Sequence, residues 1–472
     1  MSKAARNTVL WTLLVTVVLF VFSLFGRRIH VDEAVLAEPT YWLATNGFLR
    51  SEGLRGWQLA EEHFFFTHKL YLYAGSLFVK LFGWGVYSIK ATSLFYFMSL
   101  LVAWKFVFKR LQAPAELFLV FGLLLLTNAH IYELAFVYRP EIAVALFATV
   151  TYLFLNEFLK QGRGIFIALA GMTAALAIGH HLNGVVVPGA ACVLLLFRRK
   201  FVPMLAFGCI AALGFLFHLL EVKNMADITM MVNQFKNMQD IGTGHFSFWH
   251  YPLNILNEQQ RFLHSPKEIA FSLFSFTVIY FGRKQIWAKY KDLAVYAIAG
   301  SLWLALIAHG KDTKYLTLFL PFIVFLTTVS LPAAFTAHRK VVAVLAVLFL
   351  VGQWQSNLDF TFNKESRPQR YSELVADLPE GSHLLGPVYF VFDAVPKYRY
   401  QTFISYQFQA SHKHFEMTAE GLNAALDQHD INAVIFDKEF GERFQVNENS
   451  FPKFSLVKHI QGSDPLWYFV RK

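Results

Sequence analysis

The sequence predicts a polytopic α-helical membrane protein that carries a small α/β domain at its C-terminal end. Three observations predict it. Apolar runs of bilayer-spanning length, or nearly so, recur as far as residue 357. Lysine and arginine cluster at every second junction between those runs, as they do in cytoplasmic loops. Beyond residue 357 the composition turns polar and charged. A water-soluble chain is excluded: 56% of the 472 residues are hydrophobic and only 16% are charged, against about a quarter charged in soluble domains. The net charge of +10 belongs with cytoplasmic loops and anionic head groups rather than with nucleic acid.

In chain order, the run 8–26 is too long for a cleaved signal and lacks a small-residue cleavage site, so it reads as an anchor. Residues 69–83 look helical, but Lys69 and Lys80 interrupt them, and they read as a helix lying in the outer interface. Further spans are expected at 87–108, 115–133, 140–158, 164–181, 183–197, 202–220, 267–282, 293–308, 315–332 and 341–357, about eleven in all. If each crosses once, the clusters Lys3/Arg6, Lys109-Arg110, Lys160/Arg163, Arg198-Arg199-Lys200, Arg283 to Lys291 and His338-Arg339-Lys340 share one side. The opposite, extracytoplasmic side then receives 27–86, 134–139, 182, 221–266, 309–314 and the C-terminal tail. The absence of any Asn-x-Ser/Thr sequon favours a bacterial inner membrane.

Two domains follow: a transmembrane unit over 1–357 and a soluble α/β unit over 358–472. In the latter, Val388–Phe392 and Ala433–Phe436 read as short buried strands and Ala419–His429 as a helix, with turns at Pro379 to Gly381 and at Pro452.

Chemistry-bearing residues gather at the outer junctions. Asp32 and Glu33 follow the first span within Arg27-Arg28-Ile29-His30-Val31-Asp32-Glu33. A carboxylate there suits a general base, or a ligand for a divalent metal beside a phosphate. It equally suits an ordinary helix start with Asp32 as cap. Arg139-Pro140-Glu141 marks the next outer junction. The proline and glutamate fit a helix N-terminus, whereas an outer arginine runs against the charge bias and suits a phosphate. His68-Lys69 closes the first loop, and Lys314-Tyr315 precedes a late span containing Pro321. Head-group anchoring explains such cations as well as phosphate binding does. His180-His181 forms an outer polar turn. His218, Glu221, His245, His250 and His264 border or occupy the loop 221–266 without a tight zinc spacing. Cys192 and Cys209 lie in apolar runs and suggest neither disulfide nor metal site. No P-loop or dinucleotide fingerprint supports a nucleotide-fed reaction.

The order of these features resembles the GT-C membrane glycosyltransferases. The resemblance covers roughly residues 1–335: one span, an outer loop opening with Asp32-Glu33, a helix with Lys69, Leu72-Tyr73 and Leu81-Phe82-Gly83, the Arg139-Pro140-Glu141 junction, and Lys314-Tyr315 before Pro321. It is similar to the branch of protein O-mannosyltransferases and the lipid A aminoarabinose transferase. The resemblance implies an inverting transfer of a sugar from a polyprenyl-phosphate donor to a lipid, glycan or protein acceptor on the outer face. It makes Asp32 the base with Glu33 beside it. His68, Lys69, Arg139 and Lys314 would hold the donor phosphate, and Tyr315, Glu141 and His181 would line the pocket. Relatives frequently carry Lys-Pro-Pro where this chain has His68-Lys69-Leu70. Competing readings are a transporter or flippase, a polymerase or ligase of lipid-linked sugars, and a non-catalytic scaffold. A transporter predicts paired charges at mid-membrane and related halves; here the charges sit at helix ends.

Overall fold

The computed structural model describes residues 3–65, 68–240, 250–308, 312–363, 371, 373–411, 418–461 and 465–472. The helices ahead of the C-terminal sheet, among the described residues, include α1 (Lys3–Leu24), α2 (Val31–Asn46), α3 (Lys69–Phe82), α4 (Val86–Arg110), α5 (Leu117–Thr127), α6 (Ala129–Leu134), α7 (Glu141–Gln161), α8 (Gly164–His180), α9 (Val186–Phe197), α10 (Phe201–Ala212), α11 (Met225–Asp240), α12 (His250–Leu256), α13 (Gln259–Phe262), α14 (Pro266–Lys289), α15 (Lys291–Ile307) and α16 (Leu320–Phe362).

Each predicted apolar run lies mostly in helix. Among the described residues, five helical stretches are long and apolar enough to cross a membrane: Lys3–Leu24, Val86–Arg110, Glu141–Gln161, Phe201–Leu219 and Leu320–Phe362. Much of their surface is bare hydrocarbon, with Trp11, Val18, Phe95, Val202 and Val344 all exposed; such faces are stable only against an apolar surrounding. Inside the bundle, Trp104 is fully buried and packs on Phe121, Phe322 and Phe325.

Among the described residues, three of the departures from continuous helix involve α16. The run 115–133 breaks at Asn128, whose extended backbone and side chain cap α6 by accepting from the His130 and Ile131 amides. The break is stitched by α16: Ala129 donates its amide to Gln353, and Asn357 donates to the Thr127 carbonyl. The expected span from 315 instead opens with a 3₁₀ turn, Thr313–Leu318, and α16 starts only at Leu320. Pro321, lacking an amide hydrogen, suits the first helical turn. The third departure is at His338, where α16 is kinked (φ −141°, ψ 50°) between the two spans expected there. Phe281 of α14 stacks on His338, and α14 meets both halves, Gly282 against Ser330 and Phe274 against Phe349.

The C-terminal region forms a five-stranded sheet of β1 (His383–Gly386), β2 (Arg399–Thr402), β3 (Ala433–Asp437), β4 (Phe454–Ile460) and β5 (Leu466–Arg471), ordered β2-β1-β3-β5-β4. The first three neighbours are parallel; β3–β5 and β5–β4 are antiparallel. The helix Ala419–Gln428 and strand Ala433–Asp437 match expectation. Val388–Phe392 does not form a strand: it is a 3₁₀ turn followed by a short helix, and the strand lies just before it at His383–Gly386. Pro387 cannot donate to a ladder and ends the strand; a short apolar run alone does not distinguish the two states.

This region docks onto the loop that follows α2. Thr402 donates its amide to the Gly53 carbonyl (3.0 Å), and the side chains of Gln401 and Ser405 donate to the Arg55 carbonyl. Trp57, 1% exposed, packs on Phe408, and Trp84 donates its indole N–H to the Phe392 carbonyl.

Candidate active site

The start of α2 sets the site. His30 is the N-cap: its Nδ1 accepts from the Asp32 amide (3.1 Å), while Glu33 accepts from the His30 amide (3.2 Å). This reciprocal pair is a capping box with histidine in the serine position. Asp32 is therefore not the cap. It sits in the first turn, with a half-exposed side chain.

The capping geometry separates the two adjacent carboxylates. Glu33 is fully buried, accepts from the Tyr138 amide (2.9 Å) and pairs with Lys90 at 3.1 Å. Glu33, expected beside the base, lines neither of the cavities described below and ties α2 to the α6–α7 junction. Asp32 alone faces open space.

The Arg139 guanidinium bridges two acids. Its Nε and Nη2 donate to Glu141 Oε1 at 3.0 and 2.5 Å, and its Nη1 contacts Asp32 directly. Burial pulls the Arg139 pKa down, but Glu141 and Asp32 outweigh burial, so the net shift is upward and the charge is retained. Glu141, the first residue of α7, is fully buried, and its Oε2 has no hydrogen-bond partner among the described residues.

These groups line a cavity of about 200 Å³, together with His68, His181 and Tyr315. The His68 and His181 rings lie 4.4 Å apart, and His181 meets Tyr315 edge-on at 5.8 Å. Burial, followed by His181 and Arg139, holds His68 well below the usual imidazole range, so it is neutral near pH 7. Lys314 does not line this cavity; it precedes Tyr315, which does, and its Nζ lies 2.6 Å from His30 Nε2. Because His30 Nδ1 accepts the Asp32 amide, a neutral ring carries its proton on Nε2. That ring N–H and Lys314 Nζ then meet as two donors.

Asp32 also lines a second cavity of about 360 Å³, between α2 and the C-terminal region, walled by Val388, Phe403, Phe408 and Phe440. The carboxylate thus stands between two chambers.

Lys69 is not brought to the site. Its ammonium donates to the Leu220 carbonyl (2.7 Å) and lies 3.9 Å from Glu221. Burial lowers it to about 8, with Glu221 opposing. Glu221 also accepts from Tyr73 (2.7 Å) and the Leu49 amide, so this cluster anchors α3 to the outer loops. Among the described residues no group of three or more His, Cys, Asp or Glu could hold a metal; His245 lies outside the described residues.

Three residues escaped sequence reasoning. His30 carries the spacing of a capping box but not its usual residue type. Lys90, 1% exposed, is a cation just inside a predicted span and needed a partner. Arg261, fully buried, donates to the Asp312 carbonyl (2.8 Å), with its guanidinium 5.7 Å from the Tyr315 ring; like Arg139, it falls in a segment that the expected topology places away from the basic clusters.

No protein-family model matches the chain, and no curated protein matches it. Solved structures do. The apo structure of ArnT from Cupriavidus metallidurans, the lipid A aminoarabinose transferase, aligns with a TM-score of 0.62 at 12% identity over 99% of this chain and 98% of that one. This chain has the GT-C fold. Arabinofuranosyltransferase AftD from Mycobacteria aligns at 0.53 and 14% identity over the whole chain but only 40% of that larger protein. Oligosaccharyltransferase AglB from Archaeoglobus fulgidus, in complex with an inhibitory peptide and a dolichol-phosphate, aligns at 0.54 and 10% identity over 92% of this chain and 70% of that one. Apolar helices and GT-C fold together make it a multi-pass membrane protein.

Proposed function

We propose that this chain is an inverting glycosyltransferase that moves a sugar from a polyprenyl-phosphate carrier to a hydroxyl or amine of a lipid, glycan or protein acceptor. The observation that carries the reading is the Asp32–Arg139–Glu141 fork, at an outer helix junction of a GT-C fold, with Asp32 between two cavities. ArnT has also been solved bound to undecaprenyl phosphate, and AglB with dolichol-phosphate; a lipid phosphate is the shared ligand.

The donor phosphate enters the smaller cavity and takes Arg139 and Lys314. A bidentate guanidinium–phosphate contact is strong enough to compete with Asp32. Glu141 stays on the other edge of Arg139 and holds it in place. Asp32, released, accepts the proton of an acceptor that arrives through the larger cavity beside the C-terminal region. The new bond forms at the anomeric carbon from the face opposite the phosphate. The carbon–oxygen bond to phosphate breaks, and the phosphate leaves with the electron pair, its charge matched by the two cations. His68, His181 and Tyr315 form the wall around the sugar. Eleven crossings, with the 1–357 unit holding the site and the 358–472 unit above it on the outer face of a bacterial inner membrane, complete the reading.

The test is transfer of labelled sugar in membranes, offering a panel of polyprenyl-phosphate sugars to wild type and Asp32→Asn at equal expression. A base of this kind is worth about 10² to 10⁴ in rate. Wild-type transfer that collapses by that factor supports the reading; equal transfer by the two proteins overturns it.

A further inference from the structure

The end of the bundle opposite the site holds a separate polar cavity of about 390 Å³. It forms where the C-terminal ends of α4, α7 and α9 meet the α14–α15 turn, and it collects Arg110, Lys160, Arg198, Lys289 and Lys291. Along α7, Asn156 in this cavity lies roughly 20 Å from Glu141, too far to take part in transfer.

Part of this charge is already used within the fold. Lys160 donates to the Arg110 carbonyl (2.6 Å), closing the end of α4. Arg198 grips Asp292 through two bonds of 2.7 and 2.5 Å, and Arg110 pairs with Glu157 at 3.4 Å. Lys289 and Lys291 are the surplus: neither has an ion pair or side-chain hydrogen bond among the described residues. Asn156 also lines the cavity, is only 7% exposed, and its Nδ2 has no hydrogen-bond partner among the described residues. A buried donor left unmade costs free energy unless a ligand takes it. Positive-inside bias explains basic residues at this face. It does not explain a walled cavity with a spare buried amide donor.

We propose that this cavity binds the phosphate group of an anionic membrane lipid, in the leaflet opposite the reaction. The cations supply the charge, Asn156 a directed hydrogen bond, and Leu111, Leu159 and Ala288 the apolar part of the lining. A position at helix ends bordering the bilayer favours a lipid headgroup; inorganic phosphate shares the chemistry.

The test uses the full chain in detergent, titrated with phosphatidylglycerol or phosphatidylcholine, with bound lipid counted by native mass spectrometry. Phosphatidylglycerol is expected to bind at lower concentration. The Lys289→Gln/Lys291→Gln double variant should weaken it about tenfold or more, and Asn156→Leu should weaken it too. An Arg339→Gln/Lys340→Gln double variant, basic residues outside the cavity, should keep it. Displacement by inorganic phosphate assigns recognition to the phosphate alone; failure to displace assigns it to the whole headgroup. No preference between the two lipids, or equal weakening in both double variants, overturns the proposal. The readout does not depend on sugar transfer, so it stands apart from the catalytic reading.

Discussion

Asp32 and Glu33 are adjacent in sequence and opposite in environment. Asp32 is half exposed, with one guanidinium partner; Glu33 has no exposure and three partners: Lys90, the Tyr138 amide and the His30 amide. Their substitutions should therefore diverge. Glu33→Gln leaves Lys90 buried without its counter-charge, and breaking a buried pair costs about 3–5 kcal/mol. The expected outcome is a lowered unfolding temperature and poor expression, with activity lost in proportion to folded protein. Asp32→Asn should instead unfold near the wild-type temperature and lose turnover. Thermal unfolding in detergent, read beside transfer, separates them; a stable, inactive Glu33→Gln would restore Glu33 to catalysis. Arg139→Lys tests the fork: a single ammonium cannot hold Glu141 and a phosphate bidentately. Donor affinity should fall by about tenfold or more, measured by binding of the polyprenyl-phosphate carrier, and an unchanged affinity would remove Arg139 from the phosphate site. The sequence disclosed that acids and cations meet at outer junctions. It hid which of two neighbouring acids is open, because that depends on a histidine cap and on Lys90 reaching in from α4.

Among the elements, α2 carries the most unusual group. Glu38 is buried and accepts from Trp42 (2.5 Å), Ser51 Oγ and the Glu52 amide (2.7 Å). Burial raises its carboxyl to about 7, although these hydrogen bonds pull the other way. The folded protein thus keeps a proton that the unfolded chain releases above about 4.5. Stability from this source is complete below that value and is lost as pH climbs to about 7, by on the order of 3 kcal/mol. Wild type should lose unfolding temperature between pH 5 and 8 relative to Glu38→Gln, whose profile lacks this slope. Parallel profiles would show that Glu38 does not titrate in that window. Elements on the whole were legible, since apolar period and length mark helices whatever they pack against. The failures came where a partner far along the chain decides. Asn128 breaks a span because Gln353 and Asn357 satisfy the freed backbone groups; the misplaced strand is a local failure instead, since Pro387 ends β1 directly before the apolar run that mimics a strand.

At the scale of the molecule, the proposed transfer needs the C-terminal region seated on the loop after α2, since that region supplies most of the wall of the cavity beside Asp32, and α2 with Leu54 the rest. The seat is small and specific. Gly53 offers its carbonyl to Thr402, and a Cβ at Gly53 would lie 3.2 Å from both Glu38 Oε2 and Thr402 Cγ2. Trp57 is the apolar centre of the contact, with Phe64 on one side and Phe408 on the other. Truncating a buried tryptophan costs about 3–5 kcal/mol, and here that loss falls on the docking contact rather than on the helical bundle. Trp57→Ala should therefore make the C-terminal region more sensitive to protease while the bundle keeps its unfolding temperature. On the proposed reading the donor contacts lie on α2, the α6–α7 junction and the turn before α16, so carrier binding should persist. The proposed acceptor cavity is shared across the seat, so transfer should fall mainly through a raised KM for acceptor. Limited proteolysis, carrier binding and acceptor titration on one preparation read these three terms separately. If carrier binding were lost along with the rise in acceptor KM, the two cavities would not be independent, and Asp32 would have to be placed inside a single pocket that the C-terminal region closes.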